Sequence, residues 1–238
     1  MTMKKYILLS LVLLLGNVVF AQKIKVENLQ RFDTRRIHFG FSLGINSGSF
    51  ALQRKPYNHF TDSLASIDVK SQSGFSLGIV SDLHIHKHFN LRFVPTLVFG
   101  QRNLSYLFIP RNGLPKLVET TVESTYLDFP LLFKYRSARL NNFAAYVIAG
   151  AKYSVDLASN QDVNNDEIPV TIVKLKQNTM AAEVGVGTDF FLPYFKFGIE
   201  LKMSYTLDDA LIHDNTELSA PIERIAPKMF MLTFLFEG

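Results

Sequence analysis

Apolar and polar residues alternate with a period of two through most of the chain. In "YFKFGIELKMSYTL", residues 194–207, the odd positions from Phe195 are Phe, Phe, Ile, Leu, Met and Tyr. Between them stand Lys196, Gly198, Glu200, Lys202 and Ser204. Such a period is that of a β-strand with two unlike faces. The pattern predicts eight strands. The first is Arg36 to Asn46, the second Ser73 to about Ile85, and the third Phe89 to about Leu107. The fourth ends in "TYLDFPLLFKY", and the fifth, from Phe143 to about Leu157, has smaller residues and weaker alternation. The sixth spans roughly Val173 to Leu192, the seventh is the stretch quoted above, and the eighth is "PKMFMLTFLFEG" at the end.

The connections alternate in length. Strands two and three meet at "HIHKHFN", four and five at "RSARLNN", six and seven at "LPYF". The other links are expected to be long and polar, at about 47–72, 108–118, 158–172 and 208–226. Outer-membrane barrels have this asymmetry, with short periplasmic turns at one rim and long loops at the other. The polar faces agree with it. They carry Asp82, Arg92, Arg102, Lys134, Glu183, Asp189, Lys196, Glu200 and Lys202. As the core of a soluble sandwich these would need many buried ion pairs, each near break-even at best. Inside a narrow lumen they can pair and bind water, with glycines relieving crowding. The expected fold is therefore all-β: an eight-stranded antiparallel transmembrane β-barrel of the outer-membrane type, with short periplasmic turns and long extracellular loops. Tyr106, Tyr126, Tyr135, Tyr153, Tyr194 and Tyr205 are expected in aromatic girdles at the two interfaces.

Composition fits a membrane protein. Of the 238 residues 47% are hydrophobic and 19% charged, against about 25% charged for an average soluble domain. There is no cysteine, which removes disulfides, thiolate zinc sites, a cysteine nucleophile and a lipoprotein anchor. The formal charge of +4 is scattered among acids and is no nucleic-acid signature. The first 21 residues, "MTMKKYILLSLVLLLGNVVFA", pair two lysines with an apolar run too short to span a bilayer as a helix. They read as a signal peptide cleaved after Ala21. Residues 22–35 then form a periplasmic arm and 36–238 the barrel.

Candidate chemistry is sparse. Asp82, His84 and His86 in "DLHIHKH" lie at i, i+2 and i+4, a spacing that would offer an open metal site. Asp162, Asn164 and Asp166 resemble the start of a calcium loop, but Glu167 stands where glycine is needed and Val173 where the bidentate Glu belongs. Asn112-Gly113 suits a tight hairpin tip. His213 with Asp208, Asp209 and Asp214, or His38 with Ser42, could be drawn as hydrolytic groups, without any nucleophile motif. No Walker motif or dinucleotide fingerprint is present. No catalytic, cofactor-binding or metal-binding residue is assigned.

Four segments resemble the PorT/SprT family of Bacteroidetes outer-membrane barrels. They are "NLQRFDTRRIHFGFSLGINSGSF" (28–50), "NLRFVPTLVFGQRNLSY" (90–106), "ESTYLDFPLLFKYRSARLNNFAAYVIAGAKYSVDLA" (123–158) and "EVGVGTDFFLPYFKFGIEL" (183–201). The resemblance implies an outer-membrane component of type IX protein secretion, possessing no enzyme activity or cofactor and supporting gliding where that occurs. Its expected partners are membrane lipid and other secretion proteins, met through the outer loops and the arm, with no nucleic acid and no small-molecule substrate. The alternatives are a barrel enzyme acting on lipid A or phospholipid, and a small porin or ligand-binding barrel.

Overall fold

In the computed structural model the alternating segments become nine strands: β1 (Ile37–Arg54), β2 (Leu64–His86), β3 (Phe89–Phe93), β4 (Thr96–Phe108), β5 (Lys116–Arg136), β6 (Phe143–Asp156), β7 (Asn178–Phe191), β8 (Lys196–Thr206) and β9 (Ile222–Glu237). The structure describes residues 26–55, 64–110, 113–159, 161, 173–214, 216 and 218–238. The expected signal peptide (1–21), the first residues of the expected arm (22–25) and the calcium-like Asp162, Asn164 and Asp166 lie outside them.

Every neighbouring pair is antiparallel. β1 pairs with β9 on one side and β2 on the other, so the sheet closes on itself. β3 and β4 occupy one position in the wall, between β2 and β5, and the ring is eight-stranded. The expected third strand is broken at Val94-Pro95 because proline has no N–H to give the ladder. The Pro95 carbonyl still accepts from Ile79 N at 3.0 Å, and Val94 N donates to Pro130 O, so the wall does not open. Arg36, Gly238 and the turns at 87–88, 137–142 and 192–195 share the periplasmic end.

Burial answers which face meets lipid. Lys196, Glu200 and Lys202 are buried inside the ring, while Leu201 on the same strand is 55% exposed on the outer wall. Ile37, Phe39, Phe41, Leu43 and Ile45 on β1, and Phe75, Leu77 and Ile79 on β2, are likewise exposed. The run 37–45 matches the roughly 9–11 residues that a tilted strand needs to cross a bilayer.

Beyond that band the two faces exchange character. Past Phe99 the outward row of β4 and β5 becomes polar, with Gln101 Nε2 donating to Glu123 Oε1 at 3.2 Å. Higher still, Lys70 pairs with Glu119 at 2.7 Å, both side chains about half exposed. The inward row changes the opposite way, to Leu104, Tyr106 and Phe108, all buried. A register shift between Ser71 and Phe75 turns Ile67 and Val69 inward, and a second between Leu64 and Ser66 does the same for Leu64. The barrel therefore continues above the membrane as a wall with water outside and an apolar core inside.

This corrects several expectations. Residues 47–54 and 64–72 of the first expected link are strand, because they have a second apolar core to cover, whereas strand takes only 108 and 116–118 of the second and 222–226 of the last. Val173 and Leu175 precede β7 and belong to that core. Tyr106 and Tyr126 point inward and are not girdle residues, whereas Tyr135, Tyr153, Tyr194 and Tyr205 face out. Gly113 lacks the positive φ of a tight type I′ tip, and its neighbour Asn112 lies outside the described residues.

Candidate functional site

The inward face of the membrane band is an ion-pair network centred on Arg92. Its guanidinium reaches three carboxylates from three strands: Asp82 on β2 at 3.0 Å, Glu200 on β8 at 2.8 Å and Glu237 on β9 at 3.2 Å. Lys196 takes the other side of Glu237 at 2.8 Å, and Lys202 bridges Glu183 at 3.1 Å and Glu200 at 3.7 Å. Lys134 meets Asp189 at 2.7 Å and Lys152 meets Asp128 at 2.8 Å. Tyr146 donates its hydroxyl to Glu200 at 2.9 Å, with the Lys134 ammonium 3.7 Å above its ring. Period-two alternation brings these groups to one axis. Each lies on the inward row of its strand, and a ring this narrow leaves no side chain far from its opposite number.

Tyr146 fits because Gly187 stands beside it on β7. A methyl group there would overlap the phenol ring. Gly187→Ala is expected to cost about 1–3 kcal/mol as the ring is displaced. Urea unfolding checks this, and the cost should largely vanish in a Tyr146→Ala background, where the space is free.

Both ends of the lumen are closed. At the periplasmic end residues 26–36 fold back across the mouth. Phe32, in a short 3-10 turn (Phe32–Thr34), is buried, stacks on His38 at 3.7 Å and meets Phe191 edge-on at 5.9 Å. Lys196 lies 4.8 Å from its ring, so the plug sits on the ion-pair network. Asp33 pairs with Arg136 at 2.7 Å, Arg139 donates to the Asn28 carbonyl, and Asn28 and Asn142 are bonded at 2.8 Å. At the outer end the loops before β7 and between β8 and β9 fold inward. Leu175 and Leu211 pair as an isolated bridge, and with Leu218, Ile222 and Ile225 they pack on Phe50, Leu104, Tyr106 and Phe108. Between these seals the described lumen holds small polar cavities of about 20 and 10 Å³, room for single waters.

The sequence-derived candidates do not assemble into chemistry. Asp82 turns inward to Arg92 and to Asn90, which donates at 2.6 Å. His84 Nδ1 lies 3.0 Å from Asn90 Oδ1, and His86 is exposed past a register shift, so the three do not converge on a metal. His38 is turned to the Arg35 carbonyl, 3.2 Å from Nε2, and to Phe32 rather than to Ser42. His213 Nε2 meets Asp209 Oδ2 at 3.0 Å, but Asp209 also accepts the N–H groups of Leu211 at 3.1 Å and Ile225 at 3.0 Å. That carboxylate is a staple for the outer cap. Asp214 accepts from Ser219 at 2.6 Å, and Asp208 from the Met180 N–H at 3.1 Å. Phe32, Tyr146, Lys152 and Glu237 were the members that the sequence reading missed. Glu237 was legible in principle, since it continues the inward row of β9. Phe32 was not, because nothing local tells that a lone aromatic in a polar arm folds back.

The Asp209 staple has a pH consequence. Partial burial favours its neutral acid, yet the two N–H donors and His213 outweigh this and hold the carboxyl below its ordinary value. A depressed folded value means that the staple contributes above the unfolded value, near about pH 4, and is lost as pH falls below it. The protection factors of the Leu211 and Ile225 amides, with the intrinsic pH dependence of exchange divided out, should fall on acidification in the wild type, and Asp209→Asn should remove most of that dependence.

A family model described as outer membrane protein beta-barrel domain matches residues 20–211. None of the curated proteins matches the chain. Among solved structures, the outer membrane protein OprG from Pseudomonas aeruginosa is 14% identical, with 85% of this chain and 94% of that one covered and a TM-score of 0.41. Neisserial surface protein A is 9% identical, with 84% and 97% covered and a TM-score of 0.42. The attachment invasion locus protein Ail of Yersinia pestis is 12% identical, with 86% and 100% covered and a TM-score of 0.37. On the family match and the closed ring with its apolar outer band, the chain belongs to the outer membrane protein beta-barrel domain family and is an outer-membrane β-barrel protein.

Proposed function

We propose that this protein is a non-enzymatic accessory component of the type IX protein secretion system, of the PorT/SprT kind, that supports assembly of a larger translocon. The observation that carries the non-conduit part is the closed lumen: an arm across one mouth, a ring of ion pairs, and an apolar cap across the other. A protein so filled does its work with its surfaces. The segments that carry the family resemblance also supply the interior, since 28–50 contains Phe32, Asp33 and His38, and 90–106 contains Asn90 and Arg92. Residues 26–36 are committed to their own rim. We therefore assign partner contact to the outer end, where Ile109, Leu114 and Leu117 stand exposed around the β4–β5 hairpin. The engaged states of His38 and Asp209 favour a structural reading of both over a hydrolytic one.

Deletion of the protein should abolish appearance of secreted cargo at the cell surface and in the medium, measured by proteomics of both fractions. Lipid A and phospholipid profiles should be unchanged by mass spectrometry. Normal secretion in the mutant overturns the reading, and altered lipids would favour a barrel enzyme. Purified protein should give no steady conductance in planar bilayers; open channels would favour the small-porin reading. The mature chain should begin at Gln22 on amino-terminal sequencing, as removal of residues 1–21 requires.

A further inference from the structure

The two ends differ in where their unpaired cations stand relative to the apolar band. At the outer end Lys70 pairs with Glu119 and His213 with Asp209, and the exposed Lys116 and Lys176, with no ion pair among the described residues, lie beyond the apolar band. At the periplasmic end Arg136 and Arg139 share Asp33. On the β1–β3 side of that rim, Arg35, Arg36 and Lys87 are exposed and have no carboxylate within ion-pair distance among the described residues. They form one patch: the Arg36 carbonyl accepts the His84 N–H at 2.7 Å, and His86 and Lys87 follow directly in the turn. Of the carboxylates at this end, Asp82 and Glu237 are buried and already matched by Arg92 and Lys196, and the exposed Glu27 of the arm makes no ion pair with any of the three among the described residues.

The height of this patch is fixed by its neighbours. Immediately toward the bilayer lie Ile37, Phe39, Ile85 and Phe89, all exposed on the lipid face. Tyr135 packs beside Phe89 at 5.1 Å and His88 at 6.2 Å, with its ring on the outer wall. Tyrosine at the end of an apolar band marks the headgroup layer. Three unmatched cations next to it stand at the level of lipid phosphates, where each basic residue adds attraction to an anionic surface.

We infer that the Arg35–Arg36–Lys87 patch is a binding site for anionic phospholipid headgroups of the periplasmic leaflet. Arginine supplies forked donors to phosphate oxygens, and Lys87 adds a point charge from the adjacent turn. The apolar side chains below the patch receive the acyl chains of the same lipid. This inference depends on the membrane orientation and stands apart from any role in secretion.

The test uses the full mature protein in nanodiscs or mild detergent, offered phosphatidylglycerol and phosphatidylcholine of identical chains, with retained lipid measured by mass spectrometry. Wild type should enrich phosphatidylglycerol roughly tenfold, the scale set by a few unscreened basic residues. The triple variant Arg35→Gln, Arg36→Gln, Lys87→Gln should fall close to no preference. Neutralising Lys70 and Lys176 at the outer end should change nothing. In the wild type the enrichment should decline as sodium chloride is raised, a readout that does not depend on the variant folding. Equal enrichment in wild type and triple variant, or a wild-type preference indifferent to salt, overturns the proposal. Displacement of the lipid by an acidic peptide but not by another lipid would also overturn it, in favour of a protein partner.

Discussion

Arg92→Leu is expected to lower the unfolding free energy by about 3–5 kcal/mol, the usual cost of removing one partner from a buried ion pair. The guanidinium serves Asp82, Glu200 and Glu237, and all four side chains are nearly inaccessible to solvent. The three acids do not suffer equally. Glu200 keeps Tyr146 and Lys202, and Glu237 keeps Lys196. Asp82 keeps only Asn90 as a direct hydrogen-bond partner. Adding Asp82→Asn to Arg92→Leu should therefore recover a large part of the loss, even though it removes another charge. Urea unfolding in a defined detergent or bilayer measures both variants. An Arg92→Leu protein within about 0.5 kcal/mol of wild type, the usual range for an unremarkable surface change, would mean that the lumen is wet enough to solvate the acids unaided.

Leu201→Arg should cost about 2–4 kcal/mol if that side chain sits near the bilayer midplane. Leu201 projects from the middle of β8 on the outer wall and is 55% exposed there. Gln101→Arg provides the comparison. Gln101 also faces outward, but lies past Phe99 where the wall stands in water, and its neighbour is Glu123. A surface change of this kind should stay within about 0.5 kcal/mol. A large penalty at 201 with none at 101 would set the bilayer boundary between these heights. Equal tolerance at both sites, measured by folding into lipid vesicles, would sink the assignment of the apolar band to lipid.

The sequence made the membrane band readable because the interactions there are local in character. Strand alternation places Phe197, Ile199 and Leu201 on one face and Lys196, Glu200 and Lys202 on the other, whatever the partners are. The connections at 87–88, 137–142 and 192–195 were legible for the same reason, as breaks in that period. Above the band the reading failed. The third strand was expected to reach about Leu107, but nothing in the alternation told which way its end faces, and Leu104, Tyr106, Phe108, Val173 and Leu211 look like scattered apolar residues. They become one core only when β1, β2, β4 and two folded-in loops meet. The register shift between Ser71 and Phe75 that reverses β2 is silent in a periodicity reading, because it interrupts the very period being followed.

The pairing of charges was equally out of reach. That Arg92, Glu200 and Glu237 share a lumen follows from alternation and closure, but which oxygen meets which nitrogen depends on strand register. Arg92 and Glu200 are 108 residues apart in sequence. The chain by itself determined the strands of the membrane band, their lipid-facing side, the short turns at one rim and the charged interior, since each rests on a period of two and on the cost of placing charge in hydrocarbon. Only the tertiary structure decided that the lumen is sealed at both ends, that Arg92 is its hub and that Arg35, Arg36 and Lys87 remain unmatched. Each of these depends on distances between segments remote in sequence, and ring closure and register set those distances.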